Sequence, residues 1–199
     1  MHLLLITGFL GSGKTTLILQ LAQAAVAHRQ RVAILVNEIG EIGIDNQLMK
    51  QLDLNVWELL NGCICCTLTA DLVSTLQQLD ADYSPDLVIA EPSGAADPRS
   101  ILAALPYYHG RPLQAIRTAT VLDPLRLPML MEVLTPLITS QIQNADLILI
   151  SKKDLASPEE LEFAAHTSRE INPGAHILEI DPGSGQDPLL LAEVIPWLS

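Results

Sequence analysis

Short runs of consecutive apolar residues alternate along the chain with segments in which apolar positions recur every three or four residues. The runs His2–Ile6, Val32–Val36, Val56–Leu59, Leu87–Ala90, Ala115–Leu122, Leu147–Ile150 and His176–Ile180 predict strands buried on both faces. Between the first two, Leu17, Leu21, Ala24 and His28 mark one face of a helix predicted over Lys14–His28. Leu68, Leu72, Leu76 and Leu79 form a second stripe over Thr67–Leu79, whose other face stays wet. After Asp154 a third helix has legible ends: Ser157 caps it, Pro158 sits in its first turn, Glu160 completes a capping box, and Asn172-Pro173-Gly174 stops it. From Asp97 to Gln143, Pro98, Pro106, Pro112, Pro124, Pro128 and Pro136 predict short helices around one strand. Pro188–Leu198 reads as a last packed helix. The alternation defines βαβ units: one α/β domain over residues 1–199, with a mostly parallel sheet and helices on both faces.

Composition narrows the function. At 199 residues, 49% apolar and 17% charged, the chain is too hydrophobic to be disordered. Lys plus Arg is 11 and Asp plus Glu is 23, so the net charge of 11 − 23 = −12 argues against a general nucleic-acid or anionic-membrane surface. Any phosphate must therefore be gripped locally. No apolar stretch approaches the roughly 20 residues of a spanning helix, and no secretory leader precedes the Gly-rich segment, so a cytoplasmic location is expected. The three cysteines, Cys63, Cys65 and Cys66, sit too close together to staple a fold and suit a metal site or reactive thiols.

Gly8-Phe9-Leu10-Gly11-Ser12-Gly13-Lys14-Thr15 follows a predicted strand and opens a predicted helix, the context that a phosphate-binding loop requires. Gly8, Gly11, Ser12 and Gly13 let backbone N–H groups face the phosphates; Lys14 bridges β and γ oxygens, Thr15 ligates Mg²⁺, and Thr16 continues the site. At the end of another strand, Glu91 is a candidate to hold Mg²⁺ through water or to orient the attacking water, and Gly94 to donate a backbone N–H to the γ-phosphate. Lys14 and Glu91 are thus the expected catalytic pair. No arginine finger is evident in cis, so intrinsic turnover should be slow, with Arg99 and Arg117 as candidate cations.

Ser151-Lys152-Lys153-Asp154 follows the strand Leu147–Ile150, on the sheet edge where a base would lie. A carboxylate at Asp154 accepts from guanine N1–H and N2–H₂, and the Lys152 stem covers the ring, which predicts GTP over ATP. Ser151 stands where such loops usually carry Asn. Asp181-Pro182-Gly183-Ser184-Gly185 is a turn that can wrap the base. Gly62-Cys63-Ile64-Cys65-Cys66 precedes a helix N-terminus that favours thiolates, and offers soft ligands to Zn²⁺. The acidic loop Asn37 to Asp45 resembles a switch in which Glu38 or Asp45 approaches the nucleotide's Mg²⁺ and Glu41 shares the ion at the thiols. Each of the five histidines stands alone and reads as structural or exposed.

With those residues in place, the chain resembles the CobW/HypB/UreG family of P-loop GTPases, and within it the CobW-like metal chaperones. The resemblance rests on Gly8 to Leu17, Asn37 to Asp45, Asn61 to Cys66, Glu91-Pro92-Ser93-Gly94 and Gln141 to Asp154, which occur in the family's order. It implies GTP hydrolysis with Mg²⁺, binding of Zn²⁺ or a similar transition metal at Cys63, Cys65 and Cys66, and delivery of that metal to a client metalloprotein or partner subunit. The C-terminal domain and His-rich stretch common in CobW-like proteins do not occur within the 199 residues, so client choice is expected to reside elsewhere or in a partner subunit. A homodimer is one expectation for the assembly. The competing readings are a GTPase chaperone of a corrinoid or other cofactor-dependent enzyme, a metal or redox sensor without turnover, and, least favoured, a small-molecule kinase.

Overall fold

A computed structural model describes residues 1–36, 55–58, 67–181, 183, 190–192, 194 and 196. All seven apolar runs form strands: β1 His2–Thr7, β2 Val32–Val36, β3 Asn55–Glu58, β4 Leu87–Glu91, β5 Ala115–Leu122, β6 Leu147–Ile150 and β7 His176–Glu179. They lie in one sheet in the order β3-β2-β4-β1-β5-β6-β7. Every pairing is parallel, so among the described residues the sheet is wholly rather than mostly parallel. β1 is central, with His2 opposite Leu87 on one side and Ala115 on the other. All the strands consequently end on one edge, where a ligand binds in such sheets.

Strand alternation sends the two faces to different helices. Leu4 and Ile6 of β1, with Ile34 and Ile89, pack on Leu17, Ile18 and Leu21 of α1 (Lys14–Ala27). Helical residues near the C-terminus, Leu190 and Val194, join that side, where the sequence anticipates a last packed helix. Leu3 and Leu5 face the other way, onto Leu72, Leu76 and Leu79 of α2 (Thr67–Asp82) and Ile101 of α3 (Pro98–Ala104). On that same face, Ile148 and Ile150 of β6 meet α4 (Leu127–Val133), α5 (Thr135–Gln143) and α6 (Pro158–Ile171). β1, β2, β4 and β6 are thus buried on both faces and read as unbroken apolar runs, whereas the edge strand β7 is half-buried to exposed and β5 starts exposed at Ile116 and Arg117, against the expectation of burial on both faces. Among the described residues no helix is long and apolar enough to cross a membrane.

The middle prolines start helices rather than merely interrupting the chain. Pro98, Pro128 and Pro136 lie in the first turns of α3, α4 and α5, and Pro106 in that of the 3₁₀ turn Leu105–Tyr107, where a missing N–H costs nothing. The capping box of α6 is present in full: Glu160 N donates to Ser157 Oγ at 3.2 Å and Ser157 N to Glu160 Oε2 at 2.8 Å.

At the start of α3, Asp97 accepts from Arg99 N at 3.0 Å and from Ser140 Oγ of α5 at 2.6 Å, while the Arg99 guanidinium grips its other oxygen at 2.7 Å. These bonds, the Arg99 side chain first, outweigh burial and hold its carboxyl at about 2. Asp97→Ala should cost about 1–2 kcal/mol of stability through the lost cap. Because the folded-state pKa is depressed, this contribution is complete above the ordinary carboxylate range near about 4 and disappears as pH falls toward the folded value. Urea midpoints of the two proteins should therefore differ at neutral pH and converge in acid; coincident midpoints at neutral pH would remove Asp97 as a brace.

Candidate nucleotide-binding site

The turn from β1 into α1 is built on three left-handed glycines: Gly8 at φ 135°, Gly11 at 78° and Gly13 at 96°. Gly8 is also fixed by space, since a Cβ there would strike the Val121 carbonyl of β5. Gly13 occupies the N-cap of α1 and brings no side chain to it, so nothing at the cap competes for the first helical N–H groups. Lys14 is only 6% exposed; its Nζ donates to Phe9 O at 3.2 Å and lies 3.5 Å from Glu91 Oε1. Thr15 is half-buried and Thr16 exposed on the first turn of α1. Ser12 is buried, and its Oγ has no hydrogen-bond partner among the described residues. Gly94 presses on the loop, because a Cβ there would come within 3.2 Å of Gly8 O and Leu10 N. Its own carbonyl accepts from Gln141 Nε2 of α5 at 3.1 Å.

A second loop leaves β6 on the same edge. Ser151 is fully buried, and both its N and its Oγ donate to Leu122 O, at 2.9 and 3.0 Å. Lys152 adopts a left-handed φ of 56°, and its Nζ donates to Asp123 Oδ2 at 2.7 Å. The Asp123 carboxylate is buried and also accepts from Leu125 N at 3.1 Å. Asp154 is exposed, with no hydrogen bond or ion pair among the described residues. Asp181 accepts from Gly183 N at 2.9 Å, the start of the turn expected beside the base.

The phosphate loop, Glu91, Gly94 and the Ser151–Asp154 loop therefore share one edge. β2 ends at Val36 and β3 at Glu58 on that edge too, but Glu38, Glu41, Asp45, Cys63, Cys65 and Cys66 lie outside the described residues. Among the described residues no group of three or more His, Cys, Asp and Glu side chains could hold a metal ion. Neither arginine offered as a cation for the phosphates is placed for it. Arg117 sits opposite Leu4, toward the other edge of the sheet, and pairs with Asp146 at 3.3 Å; Arg99 is held by Asp97. Two residues passed over in the sequence join the site instead. Asp123, the first residue after β5, anchors Lys152, and Arg126 donates through Nη1 to Leu10 O at 2.7 Å. The signal for Asp123 was available: it is a carboxylate at a strand's C-terminal end, as Glu91 is.

A glycine loop between a central parallel strand and a helix, with a buried lysine and a facing carboxylate, defines a P-loop nucleotide-binding domain. Residues 2–179 match the family described as CobW/HypB/UreG, nucleotide-binding domain, and the chain belongs to that family. It is 37% identical over 159 residues to the zinc chaperone YeiR of Escherichia coli, covering 78% of this chain and 47% of that protein. It is 30% identical over 222 residues to the zinc chaperone CobW of Pseudomonas aeruginosa, covering 94% and 58%. The chain thus spans about half the length of the curated relatives it matches. In fold it is similar to the Zn(II)-bound YjiA GTPase from E. coli (TM-score 0.64, 23% identity, covering 96% of this chain and 60% of that one). The hydrogenase maturation factor HypB from Archaeoglobus fulgidus shares the fold as well (TM-score 0.68, 16% identity, covering 100% and 91%).

Proposed function

We propose that this chain binds and hydrolyses GTP with Mg²⁺ and couples its nucleotide state to the binding of a transition metal, zinc first, for delivery to a client metalloprotein. The observation that carries the reading is the meeting, on one sheet edge, of the Lys14–Glu91 pair with the loop that ends in Asp154, exposed and without a hydrogen bond or ion pair among the described residues. In this reading the N–H groups of Gly8 to Gly13 and the ammonium of Lys14 hold the phosphates, and Asp154 reads guanine. Lys152 lays its stem along the base with its charge tethered to Asp123, and Ser151 anchors the loop to β5. The Gly94 N–H is offered to the terminal phosphate, and Glu91 holds and orients the water that attacks it. The Thr15 hydroxyl and Glu91 carboxylate are hard oxygen donors of the kind that suits Mg²⁺, which would neutralise charge on the β and γ oxygens.

Zinc is cargo in this scheme. Cys63, Cys65 and Cys66 supply soft donors, and Glu41 an oxygen donor, a set that zinc accepts. Support for zinc comes from the relatives described as zinc chaperones, YeiR and CobW among them. Cys65→Ser combined with Cys66→Ser should remove tight zinc binding and leave GDP affinity nearly intact. If the two sites are linked, zinc affinity should differ between GDP and a non-hydrolysable GTP analogue by about 1–3 kcal/mol, with the reciprocal effect on nucleotide. Competition against a chromophoric zinc chelator reads both. Equal zinc affinities in the two states would leave a static metal site and no mechanism for delivery.

A further inference from the structure

We propose that Arg126 is a positioning residue for the phosphate loop, holding the Leu10 carbonyl so that the next N–H, that of Gly11, is set for phosphate; this rests on the nucleotide-binding reading above. Arg126 Nη1 donates to Leu10 O at 2.7 Å, and its guanidinium lies 5.4 Å from the centroid of the Phe9 ring. The fit at Gly11 is close, since a Cβ there would stand 3.3 Å from Nη1. The Leu10 side chain is 64% exposed and does little to anchor the crest of the loop. In a trans peptide the carbonyl and the following N–H point in opposite directions, so tying Leu10 O to Arg126 turns the Gly11 N–H to the opposite side.

The neighbouring carbonyl is handled in the same way by a different cation, because Phe9 O accepts from Lys14 Nζ at 3.2 Å. Two consecutive peptide planes of the loop are thus set by two positive side chains. Arg126 is itself fixed by Asp123, whose carbonyl accepts from Arg126 N at 3.1 Å and from Leu127 N at 2.9 Å. The carboxylate of the same Asp123 holds Lys152 in the base loop. One buried residue at the end of β5 therefore sets the lysine of one loop and the arginine that orders the other.

The test compares the parent protein with Arg126→Met, which keeps an apolar stem against Phe9, and Arg126→Lys, which keeps a donor for Leu10 O. Steady-state GTP hydrolysis, GDP titration calorimetry and melting without nucleotide are measured on all three. The Met variant should raise KM for GTP and Kd for GDP by about tenfold, the loss expected for one charge-assisted hydrogen bond. Its kcat and nucleotide-free melting temperature should hold, and Lys should restore most of the affinity. An unchanged KM overturns the proposal. So does a fall in kcat at constant KM, which would place Arg126 on the reacting phosphate, or a fall in melting temperature that tracks the affinity loss. A parent protein that prefers ATP would refute base reading alone, and the same comparison made with ATP would still decide Arg126. Absence of any nucleotide binding in the parent would refute both.

Discussion

Lys14→Ala should lower the affinity for Mg²⁺·GTP by about 2–5 kcal/mol, the cost of truncating one partner of a buried charged contact, and bring hydrolysis to background. Lys14 is held almost entirely inside the loop, so its charge acts in a medium that screens poorly. Without it, Glu91 loses the ammonium that stands 3.5 Å from its Oε1, and the repulsion between its carboxylate and the phosphates is less well offset. The fold should survive, because Phe9 O, one of the two acceptors near Lys14 Nζ, still receives Ser12 N at 3.2 Å. Loss of binding with an intact melting transition is therefore the expected pair of results. Glu91→Gln should act differently, slowing single turnover more than it weakens binding, since the amide keeps the shape and loses the base. Single-turnover rates unchanged in both variants would remove the two residues from the chemistry.

Asp154→Asn should weaken GTP by about 2–4 kcal/mol and improve xanthosine triphosphate. A carboxylate accepts from both guanine N1–H and N2–H₂, whereas an amide turns a donor toward one of them and suits the C2 carbonyl of xanthine. The loop is arranged for this exchange to be selective. Leu155 N and Ala156 N both donate to Lys152 O, at 3.0 and 3.1 Å, closing a turn around Asp154 that uses backbone alone. The substitution should then change the reader and leave its mounting in place. Titration of the parent with GTP and ATP is the companion measurement, and equal affinities there would leave Asp154 without a base to read.

The strands β1, β2, β4 and β6 were legible because burial on both faces leaves no polar alternation to confuse, and the ends of α6 because Ser157, Pro158 and Glu160 act through neighbouring atoms. The order of the strands was not, since Leu3 to Ile6 would look the same on any central strand. The phosphate loop was readable for the reason α6 was: Gly8 to Thr15 is a local device. Asp123 and Arg126 work across distance, on Lys152 and on Leu10. In sequence they are one acid and one base beside Pro124, in a stretch whose prolines suggested interruption. Arg117 misled in the opposite sense, as a cation whose value depended on which end of β5 it occupied.

β1 precedes both of its sheet neighbours in the chain. Its pairing edges are filled by β4 and β5, Leu87–Glu91 and Ala115–Leu122, so β1 gains its first sheet neighbour some eighty residues later in the chain and its second after about another thirty. Gly8 seats against Val121 only once β5 has docked. The phosphate loop thus waits for its shape on segments made well after it, and the contact of Gly8 with Val121 cannot form before residue 121 exists. Long-range pairing of this kind folds slowly and leaves apolar edges uncovered while it waits. A nucleotide that recognises only the finished loop would then act late, as a clasp on a sheet already assembled rather than a template for building it.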